Sequence, residues 1–469
     1  MMSYNKNISE IEIARQYEFM QRVKLLNDGK KLFAYIETFG CQQNEADSER
    51  IVGMAEQMGY NICRESVEAD LIVVNTCAIR EHAELKALSV TGQFKHLKIK
   101  NPRLLIGVCG CMVSQEHREA DIKQKYPYVD FLFGTNMLYK FPEILYETML
   151  SCKRGFYPNE SDSKIAEGLP VRRENFFKAW VSIMYGCNNF CSYCVVPYVR
   201  GRERSRRRED ILRETADLIK EGYKEVTLLG QNVNSYNPDM EINYDFADLL
   251  NDICKNEGDY LIRFMTSHPK DATYKLIDVM AANKNIAKQF HLPLQSGSDR
   301  VLKLMNRGYD TARYLELIRY IRKMMPNAAI STDIIVGFPT ETEADFENTL
   351  SILEEVRFDS IFSFKFSKRK GTAAYDMDGH IDDCVISNRF ERMLEIQNKI
   401  SNEKNLNYEN KVIKVLCEGI SKNDKTKYTG RNEKNRLVHF NADDSYIGKY
   451  VDVLIKKAET YALYGEIYK

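Results

Sequence analysis

Cys187-Asn-Asn-Phe-Cys191-Ser-Tyr-Cys194 sets three thiols in a CxxxCxxC spacing, directly after a strand-like run from Ala179 to Met184. The chain has 12 cysteines among 469 residues, and a shuffled chain of this composition would contain such a triplet only about 0.008 times. A 4Fe-4S cluster normally takes four protein thiolates. Three clustered cysteines therefore predict a cluster held by Cys187, Cys191 and Cys194, with one iron open to another ligand.

Zinc is the alternative metal for this triplet. Structural zinc sites usually combine CxxC pairs with a further Cys or His pair. The chain has no second CxxC and no HxxxH, and thiolates without histidine favour iron-sulfur chemistry. We therefore predict an iron-sulfur cluster.

The overall charge is balanced, with 67 Lys and Arg against 67 Asp and Glu. A neutral chain has no global field that attracts nucleic acid, so any such contact must come from local patches. The first 30 residues lack the apolar core of a signal peptide, and no segment has the roughly 18 consecutive apolar residues of a membrane span. We expect a cytoplasmic protein without a membrane partner, whose cysteines are reduced thiols or metal ligands.

Short apolar runs alternate with amphipathic stretches over residues 31–150, after a predicted helical extension over residues 1–30. This alternation predicts an α/β fold with an open parallel sheet. Its predicted strands are Leu32–Thr38, Leu71–Asn75, Leu104–Val108 and Phe131–Phe133. Cys41, Cys77 and Cys111 each follow one of the first three strands. Because the carboxyl ends of parallel strands open on one edge, we predict that these thiols converge on a second 4Fe-4S cluster.

Ordinary buried cysteines are the alternative explanation for this second trio, since α/β cores often contain them. Gly40 and Gly110 favour a cluster, because glycine lets the backbone approach a bulky ligand. No GxGxxG follows any of these strands, which disfavours a nucleotide site. Cys109 lies two residues before Cys111 and would share its face of a strand, so either thiol could reach the site.

Residues 151–175 form a polar stretch with two glycines and two prolines, which reads as a linker. Residues 176–405 then alternate again, which predicts a partial (β/α)6 barrel with functional groups at the carboxyl ends of its strands. The predicted strands are Ala179–Met184, Glu225–Leu229, Leu261–Met265, Gln289–Leu294, Ala329–Val336 and Ile361–Phe366. Polar residues follow several of these strands, and helix capping is the alternative explanation for part of that set.

Residues 406–469 contain short strand-like runs separated by turns, which predicts a small five-stranded β-barrel. The runs are Val412–Cys417, Arg436–Phe440, Tyr450–Ile455 and Tyr461–Ile467. Basic residues cluster in a predicted turn region around Tyr428. Barrels of this kind hold single-stranded or looped RNA by charge and stacking, and a solvated hairpin is the alternative.

Six further blocks of sequence carry a family resemblance. They are Thr38-Phe-Gly-Cys41-Gln-Gln-Asn44, Asn75-Thr-Cys77-Ala-Ile-Arg80, Pro197-Tyr-Val-Arg200-Gly-Arg-Glu-Arg204-Ser-Arg206, His291-Leu-Pro-Leu-Gln295-Ser296-Gly-Ser-Asp299, Asp333-Ile-Ile-Val-Gly337-Phe-Pro-Thr-Glu341 and Thr429-Gly-Arg431-Asn432. With the CxxxCxxC triplet, they resemble the radical S-adenosylmethionine (SAM) methylthiotransferases over nearly the whole chain, including a C-terminal TRAM barrel of OB-like type. The Cys41-Gln-Gln-Asn44 block is most similar to the branch that modifies isopentenylated tRNA.

The resemblance implies two 4Fe-4S clusters and SAM as cofactors. It implies that SAM is cleaved at the CxxxCxxC cluster to a 5′-deoxyadenosyl radical, which attacks C2 of an N6-isopentenyl (dimethylallyl) adenosine beside the tRNA anticodon. Sulfur methylated by a second SAM then comes from the second cluster. There Gly110-Cys111 resembles a Gly-Cys pair of the family, which assigns Cys111 over Cys109. No catalytic residue beyond the cluster cysteines is predicted, because the difficult chemistry belongs to the cofactors.

Candidate binding residues complete the prediction. The predicted SAM-binding residues follow strands of the partial barrel and are Gln231, Ser267, Gln295 and Ser296. The predicted RNA-binding residues are basic or polar and are Arg200, Arg204, Lys427, Arg431 and Asn432. Guanidinium forks suit phosphate and carboxylate groups, and a solvated charge run is the alternative for the arginines.

The expected partners are the tRNA anticodon loop, a reducing electron-donor protein and a protein that supplies sulfur or clusters. The protein is expected to be a monomer. Two alternative substrates within the family are a ribosomal-protein aspartate and N6-threonylcarbamoyladenosine in tRNA. A non-enzymatic RNA-binding iron-sulfur redox sensor is the alternative from another class.

Overall fold

The computed structural model describes residues 7–78, 81–158, 164–237 and 243–468, so Ile79 and Arg80 of the second family block lie outside the described residues. The chain forms two compact units. The first unit comprises Met1–Glu174, Met184–Asn188 and Cys194–Arg206, and the second comprises Asn175–Ile183, Asn189–Tyr193 and Arg207–Lys469. The CxxxCxxC loop is divided, with Cys187 and Cys194 in the first unit and Cys191 in the second.

The first unit is built on six parallel strands with helices on both faces. The strands are β1 Leu32–Thr38, β2 Tyr60–Ile62, β3 Leu71–Thr76, β4 Leu105–Gly110, β5 Phe131–Phe133 and β6 Gly155–Tyr157. The helices are α1 Glu10–Asn27, α2 Gln42–Gln57, α3 Glu81–Lys100, α4 Glu116–Lys125 and α5 Phe141–Ser151. The strand order is β2-β1-β3-β4-β5-β6, which confirms the predicted open parallel sheet.

Two hydrophobic cores cover this sheet, one on each face. Val73 packs into a core with residues of α1, α2 and α5, while Val74 packs into another with residues of α3 and α4. Successive strand residues point to opposite faces, and β3 is buried at all of its positions. A continuous apolar strand is the pattern expected of a parallel strand covered on both sides.

The strand register brings three loops together. In the register, β1 pairs Thr38 with Asn75 of β3, and β3 in turn pairs Asn75 with Cys109 of β4. All three strands are parallel neighbours. The segments that leave β1, β3 and β4 therefore start side by side at one edge of the sheet.

After β6 the chain enters the second unit through β7 Lys178–Ser182 and then returns to the first. There the strands β8 Met184–Tyr185 and β9 Arg204–Ser205 form an antiparallel pair, with the short helix α6 Val196–Arg200 between them in sequence. The prediction joins residues 179–184 in one strand. The structure instead ends β7 at Ser182, because the chain changes units at this point.

Five further parallel strands follow β7 in the second unit. They are β10 Glu225–Leu229, β11 Leu261–Phe264, β12 Gln289–His291, β13 Ala329–Val336 and β14 Ser360–Lys365. They form the sheets β11-β10-β7 and β12-β13-β14. An isolated parallel bridge links Ile262 of β11 to Ile286, three residues before β12. Six parallel strands in an open arc confirm the predicted partial barrel.

Seven helices of the second unit connect these strands or follow them. They are α7 Arg208–Lys220, α8 Phe246–Ile253, α9 Tyr274–Ala282, α10 Asp299–Leu304, α11 Thr311–Met324, α12 Glu343–Val356 and α13 Asp383–Leu406. Across the four described ranges, every helix is too short or too polar to span a lipid bilayer.

The second unit ends in a closed β-barrel. Its strands are β15 Val412–Ile420, β16 Tyr428–Arg431, β17 Leu437–Asn441, β18 Tyr450–Ala458 and β19 Leu463–Ile467, in the order β15-β16-β17-β19-β18. Val415, Phe440 and Val453 fill its core. This confirms the predicted five-stranded barrel.

Four strands of the described residues were not predicted, and each of them is short. One is β9, whose two residues pair with β8. β2 and β6 are edge strands of three residues each, and β6 lies within the stretch predicted as a linker. β16 has four residues and occupies the predicted turn region. A run of three or four residues shows no clear period, so pattern reasoning misses it.

A substitution at Gly110 tests whether the edge of the sheet is tightly packed. Its φ is +98°, and an added Cβ would lie 2.4 Å from the carbonyl oxygen of Thr76. We expect Gly110→Ala to lower the free energy of unfolding of the metal-free protein by about 2 kcal/mol or more, because strain and a backbone clash add together. Circular dichroism during guanidinium unfolding measures this.

Gly92 in α3 provides the matched control, since an added Cβ meets no atom within 4 Å there. Gly92→Ala should raise stability by about 0.5–1 kcal/mol, because alanine is the better helix former. Equal stability of the two variants would contradict the packing described for Gly110.

Candidate metal centres

Three cysteines follow the carboxyl ends of β1, β3 and β4 in the first unit. They are Cys41, Cys77 and Cys111. The backbone N–H of Cys111 donates to the carbonyl of Thr76 at 2.8 Å. A Cβ added to Gly40 would lie 2.8 Å from the Cβ of Cys77. The three loops therefore meet at the sheet edge where parallel α/β folds hold ligands.

A buried amide network fixes these loops. Asn44 Nδ2 donates to Asn75 Oδ1 and to the carbonyl of Thr76, both at 3.0 Å. Asn75 Nδ2 donates in return to the carbonyl of Asn44 at 2.8 Å and to Ser48 Oγ at 3.0 Å. The Cys41 thiol donates to Asn44 Oδ1 at 3.3 Å. The last residue of the Cys41-Gln-Gln-Asn44 block thus ties the β1 loop to the end of β3.

Arg200 reaches this edge from α6. Its Nε donates to Cys111 Sγ at 3.2 Å, and its Nη2 donates to Asp47 Oδ2 at 2.9 Å. The side chain is 5% exposed. Burial alone would lower the pKa of Arg200, but Cys111 and Asp47 raise it above its ordinary value. The guanidinium therefore stays charged beside the thiols.

Protonation of the thiols depends on whether a metal binds them. Burial is the main cause that raises the pKa of Cys111 to about 12, with Arg200 acting against it and Cys77 and Cys41 acting in the same direction as burial. A thiol with such a pKa keeps its proton at neutral pH unless a metal displaces it. Three soft sulfur donors with a buried cation beside them suit a 4Fe-4S cluster held by three cysteines.

A single metal ion and a cluster differ in the ligand spacing they need. In the part of the chain that the structure describes, no three His, Cys, Asp or Glu side chains are grouped so as to hold one metal ion. In a 4Fe-4S cube each thiolate binds a different iron atom, so its cysteines stand further apart than those around one ion.

The two thiols near the end of β4, Cys109 and Cys111, have different surroundings. Cys109 lies within the strand and packs into the hydrophobic core with Phe131. Cys111 lies beyond the strand end in a separate buried cluster with Ala78 and Val199. Burial raises the pKa of the Cys109 thiol well above its usual value. The geometry favours Cys111 as the ligand and Cys109 as a core residue.

Helix α6 joins the CxxxCxxC loop to this edge within the first unit. Val195, directly after Cys194, packs with Cys111 in one buried cluster. The helix has five residues and ends at Arg200, so it rises by only about 7.5 Å. The last cysteine of the triplet and the thiols of the sheet edge are therefore linked by a single short, packed helix.

The entry to the triplet is equally constrained. Gly186 has φ +76°, and an added Cβ would lie 2.1 Å from the carbonyl oxygen of Arg202. The N–H of Cys187 donates to the carbonyl of Gly201 at 3.1 Å. Close approach of two backbone segments holds the start of the loop, and glycine is the residue that permits it.

Cys191 is held inside the second unit. Arg307 Nη1 donates to Cys191 Sγ at 3.3 Å, and Arg307 Nη2 donates to the carbonyl of Pro293 at 2.9 Å. The Arg307 side chain is buried. The N–H of Ser192 donates to the carbonyl of Met305 at 3.0 Å. Sequence reasoning missed Arg307, because it follows α10 and has no spacing relation to the cysteines.

The predicted SAM residues lie after β10, β11 and β12 of the second unit. Ser267 is buried and its hydroxyl donates to the carbonyl of His291. Gln295 has φ +73° and pairs with Ile334 of β13, and Ser296 Oγ accepts from the N–H of Ser298 at 3.3 Å. Gln231 is half-buried and lies two residues after the end of β10. These positions form one rim, where the barrel topology places ligands.

The predicted RNA residues of the arginine run are buried in the first unit. Arg204 is 6% exposed, and its Nη1 donates to the carbonyl of Arg200 at 2.9 Å. Burial lowers the pKa of Arg204 to about 10. Both guanidinium groups are buried and have intramolecular partners. The predicted RNA contacts of Arg200 and Arg204 stay predictions.

The other three predicted RNA-binding residues lie in the C-terminal barrel and differ in how exposed they are. Lys427 and Arg431 are half-buried and reach the surface, with Lys427 Nζ donating to Asn441 Oδ1 at 2.6 Å. Asn432 is buried, and its side chain accepts the N–H of Arg436 at 2.9 Å. Its carbonyl accepts from Arg263 Nη2 at 2.7 Å. Asn432 therefore shapes the turn between β16 and β17.

Comparison with known proteins identifies the family. Residues 181–353 match the Radical SAM superfamily, residues 33–134 match the Uncharacterized protein family UPF0004, and residues 406–468 match the TRAM domain. The tRNA-2-methylthio-N(6)-dimethylallyladenosine synthase of Thermoanaerobacter sp. (strain X514) is 48% identical over 466 residues and covers 99% of both chains. The protein of the same name from Alkaliphilus oremlandii (strain OhILAs) is 49% identical over 460 residues, 98% of each.

The chain belongs to the tRNA-2-methylthio-N(6)-dimethylallyladenosine synthase family. A solved structure of the radical S-adenosylmethionine methyltransferase TsrM from Kitasatospora setae, with cobalamin and a [4Fe-4S] cluster bound, aligns with a TM-score of 0.53. It is 12% identical, and the alignment covers 74% of this chain and 77% of that chain. At this identity the likeness shows the fold alone.

Membership in the synthase family means that SAM and 4Fe-4S clusters are the cofactors. The predicted ligands of one cluster are Cys187, Cys191 and Cys194, and the predicted ligands of the other are Cys41, Cys77 and Cys111. In each set a buried guanidinium donates to a cysteine sulfur, Arg307 in the first and Arg200 in the second.

Cys109 and Cys111 provide a matched pair for testing the ligand assignment. We expect Cys111→Ala to lower bound iron and sulfide by about half, because one of two clusters loses a ligand. Cys109→Ala should keep wild-type iron, since its thiol packs in the core. Iron and sulfide are counted after anaerobic reconstitution. Equal iron loss in both variants would contradict the assignment.

Proposed function

We propose that this protein methylthiolates C2 of N6-isopentenyl (dimethylallyl) adenosine beside the anticodon of tRNA. The names of its full-length relatives support this activity. The observation that carries the proposal is helix α6, which starts beside Cys194 and packs against Cys111. Insertion of sulfur into a C–H bond needs one group that removes hydrogen and another that delivers sulfur to the same carbon. Two cysteine trios linked by one short helix meet that requirement.

The chemistry of the substrate decides which steps the cofactors perform and which the protein performs. The C2–H of adenine is not acidic enough for a general base, so radical chemistry is required. When bound, SAM with its cluster supplies that radical chemistry, and the second cluster supplies sulfur. The chain's own residues position the thiols through Asn44 and Asn75 and keep water from Cys111 through Val195 and Val199.

The C-terminal barrel supports tRNA as the substrate. A TRAM domain matches residues 406–468, and the segment between β15 and β16 presents Lys422 and Lys425 to solvent. A loop nucleotide is easier to unstack than one in a duplex, which suits an anticodon-loop target. A tRNA substrate also implies that the enzyme works in the cytoplasm.

The reaction consumes electrons and sulfur. We therefore infer a reducing electron-donor protein and a protein that supplies sulfur or clusters as further partners. These inferences rest on the demands of the chemistry.

Incubation with defined RNA tests the activity. Reconstituted protein, SAM and dithionite should convert the isopentenylated adenosine of tRNA to its 2-methylthio derivative and form 5′-deoxyadenosine. The Cys41→Ala variant should cleave SAM without inserting sulfur, and Cys187→Ala should do neither, because the two trios serve different steps. Nucleoside mass spectrometry measures the product. Modification of unisopentenylated tRNA, or none of either RNA, would contradict the proposal.

Salt dependence tests the electrostatic part of RNA binding. Affinity for an isopentenylated anticodon stem-loop should fall steeply as KCl rises, because each phosphate contact releases counterions. The Lys425→Ala/Lys427→Ala variant should reduce the slope of log K against log salt by about 1 to 1.5. Fluorescence anisotropy measures both.

Lys123→Ala/Lys125→Ala is the control for that slope, since these helix lysines pair with Glu119 and Asp121. Its slope should match the wild type. A flat salt response of the wild-type protein would exclude phosphate-driven binding.

A further inference from the structure

Arg200 lies six residues after Cys194 in the sequence. Its guanidinium nevertheless donates to a cysteine of the other trio. Nε donates to Cys111 Sγ at 3.2 Å while Nη2 donates to Asp47 Oδ2 at 2.9 Å. The planar guanidinium of Arg200 thus donates to two different acceptors from two of its nitrogens. The ammonium of lysine has a single nitrogen and does not reproduce this geometry. Arg204 supports this arrangement, because its Nη1 donates to the carbonyl of Arg200 at 2.9 Å.

The surroundings make this contact strong. Val195, Val199 and Ala78 cover Cys111, and the Arg200 side chain is 5% exposed. Electrostatic interactions strengthen where water is excluded. An N–H donated to a ligand sulfur draws electron density from the cluster, so it stabilises the reduced form more than the oxidised one. Hydrogen bonds to the sulfurs are among the features that set cluster potentials.

We propose that Arg200 is a positioning residue that raises the reduction potential of the cluster on Cys41, Cys77 and Cys111, with Asp47 holding its guanidinium toward the sulfur. This inference rests on the proposed function, which assigns a cluster to those thiols. It replaces the predicted RNA contact of Arg200. It also explains why this arginine ends α6, since the helix delivers it to Cys111.

The experiment measures the potential of this cluster alone. In a Cys187→Ala/Cys191→Ala/Cys194→Ala background, the remaining cluster is titrated with dithionite and followed by electron paramagnetic resonance. We expect Arg200→Lys to keep the iron but lower the midpoint potential. The expected shift is about tenfold in the reduction equilibrium, or about 59 mV for one electron.

Two further variants control this measurement. Arg206→Lys changes a buried arginine of the same segment that pairs with Glu167, and it should leave the potential unchanged. Asp47→Asn/Arg200→Met removes the donor without leaving a buried carboxylate unpaired, and it should lower the potential as Arg200→Lys does.

The outcomes separate this inference from the proposed function. An unchanged potential in Arg200→Lys and in the double variant, with iron retained, would overturn the role of Arg200. Loss of iron from both would also overturn it and assign Arg200 a structural role. Failure of the triple-cysteine background itself to bind a cluster would instead overturn the proposed function.

Discussion

Two of the three thiols at the sheet edge, Cys77 and Cys111, are buried. Burial opposes the charged thiolate that binds iron, so a nearby positive charge is needed to compensate. Here the compensation comes from Arg200, which is itself buried and bonded to Cys111 and Asp47. The parallel sheet makes the arrangement possible, since the ends of β1, β3 and β4 lie side by side. The rest of the first unit serves this edge: two cores hold the strands, and the Asn44 and Asn75 amides hold the loops.

Helix α6 extends this constraint to the second set of cysteines. It begins at Val196, two residues after Cys194, its Val199 packs with Cys111, and its last residue is Arg200. Proximity converts a reaction between separate groups into one within a single assembly, which lowers the activation barrier by several kcal/mol. For a reaction that removes hydrogen and adds sulfur at one carbon, the short linkage accounts for the presence of both trios in one chain.

The sequence allowed prediction of the parallel sheet, the partial barrel and the small closed barrel, because each has long strands with clear periods. The short strands β2, β6 and β16 have no such period. Five of the proposed cluster cysteines were identifiable from spacing or from strand ends, while the choice of Cys111 over Cys109 came from the family resemblance. The roles of Arg200 and Arg307 were not, because hydrogen bonds to sulfur depend on side-chain contacts that link distant segments. Asn432 shows the same limit: a polar residue in a basic turn can be buried for structural reasons.

The number of clusters per chain tests the central claim most directly. Mössbauer spectroscopy and iron counting on anaerobically reconstituted protein should give about eight iron atoms per chain, as two 4Fe-4S clusters. Separate triple-alanine variants of the two trios should each retain about four. A wild-type protein with a single cluster, or a trio whose removal leaves the iron content unchanged, would contradict the account.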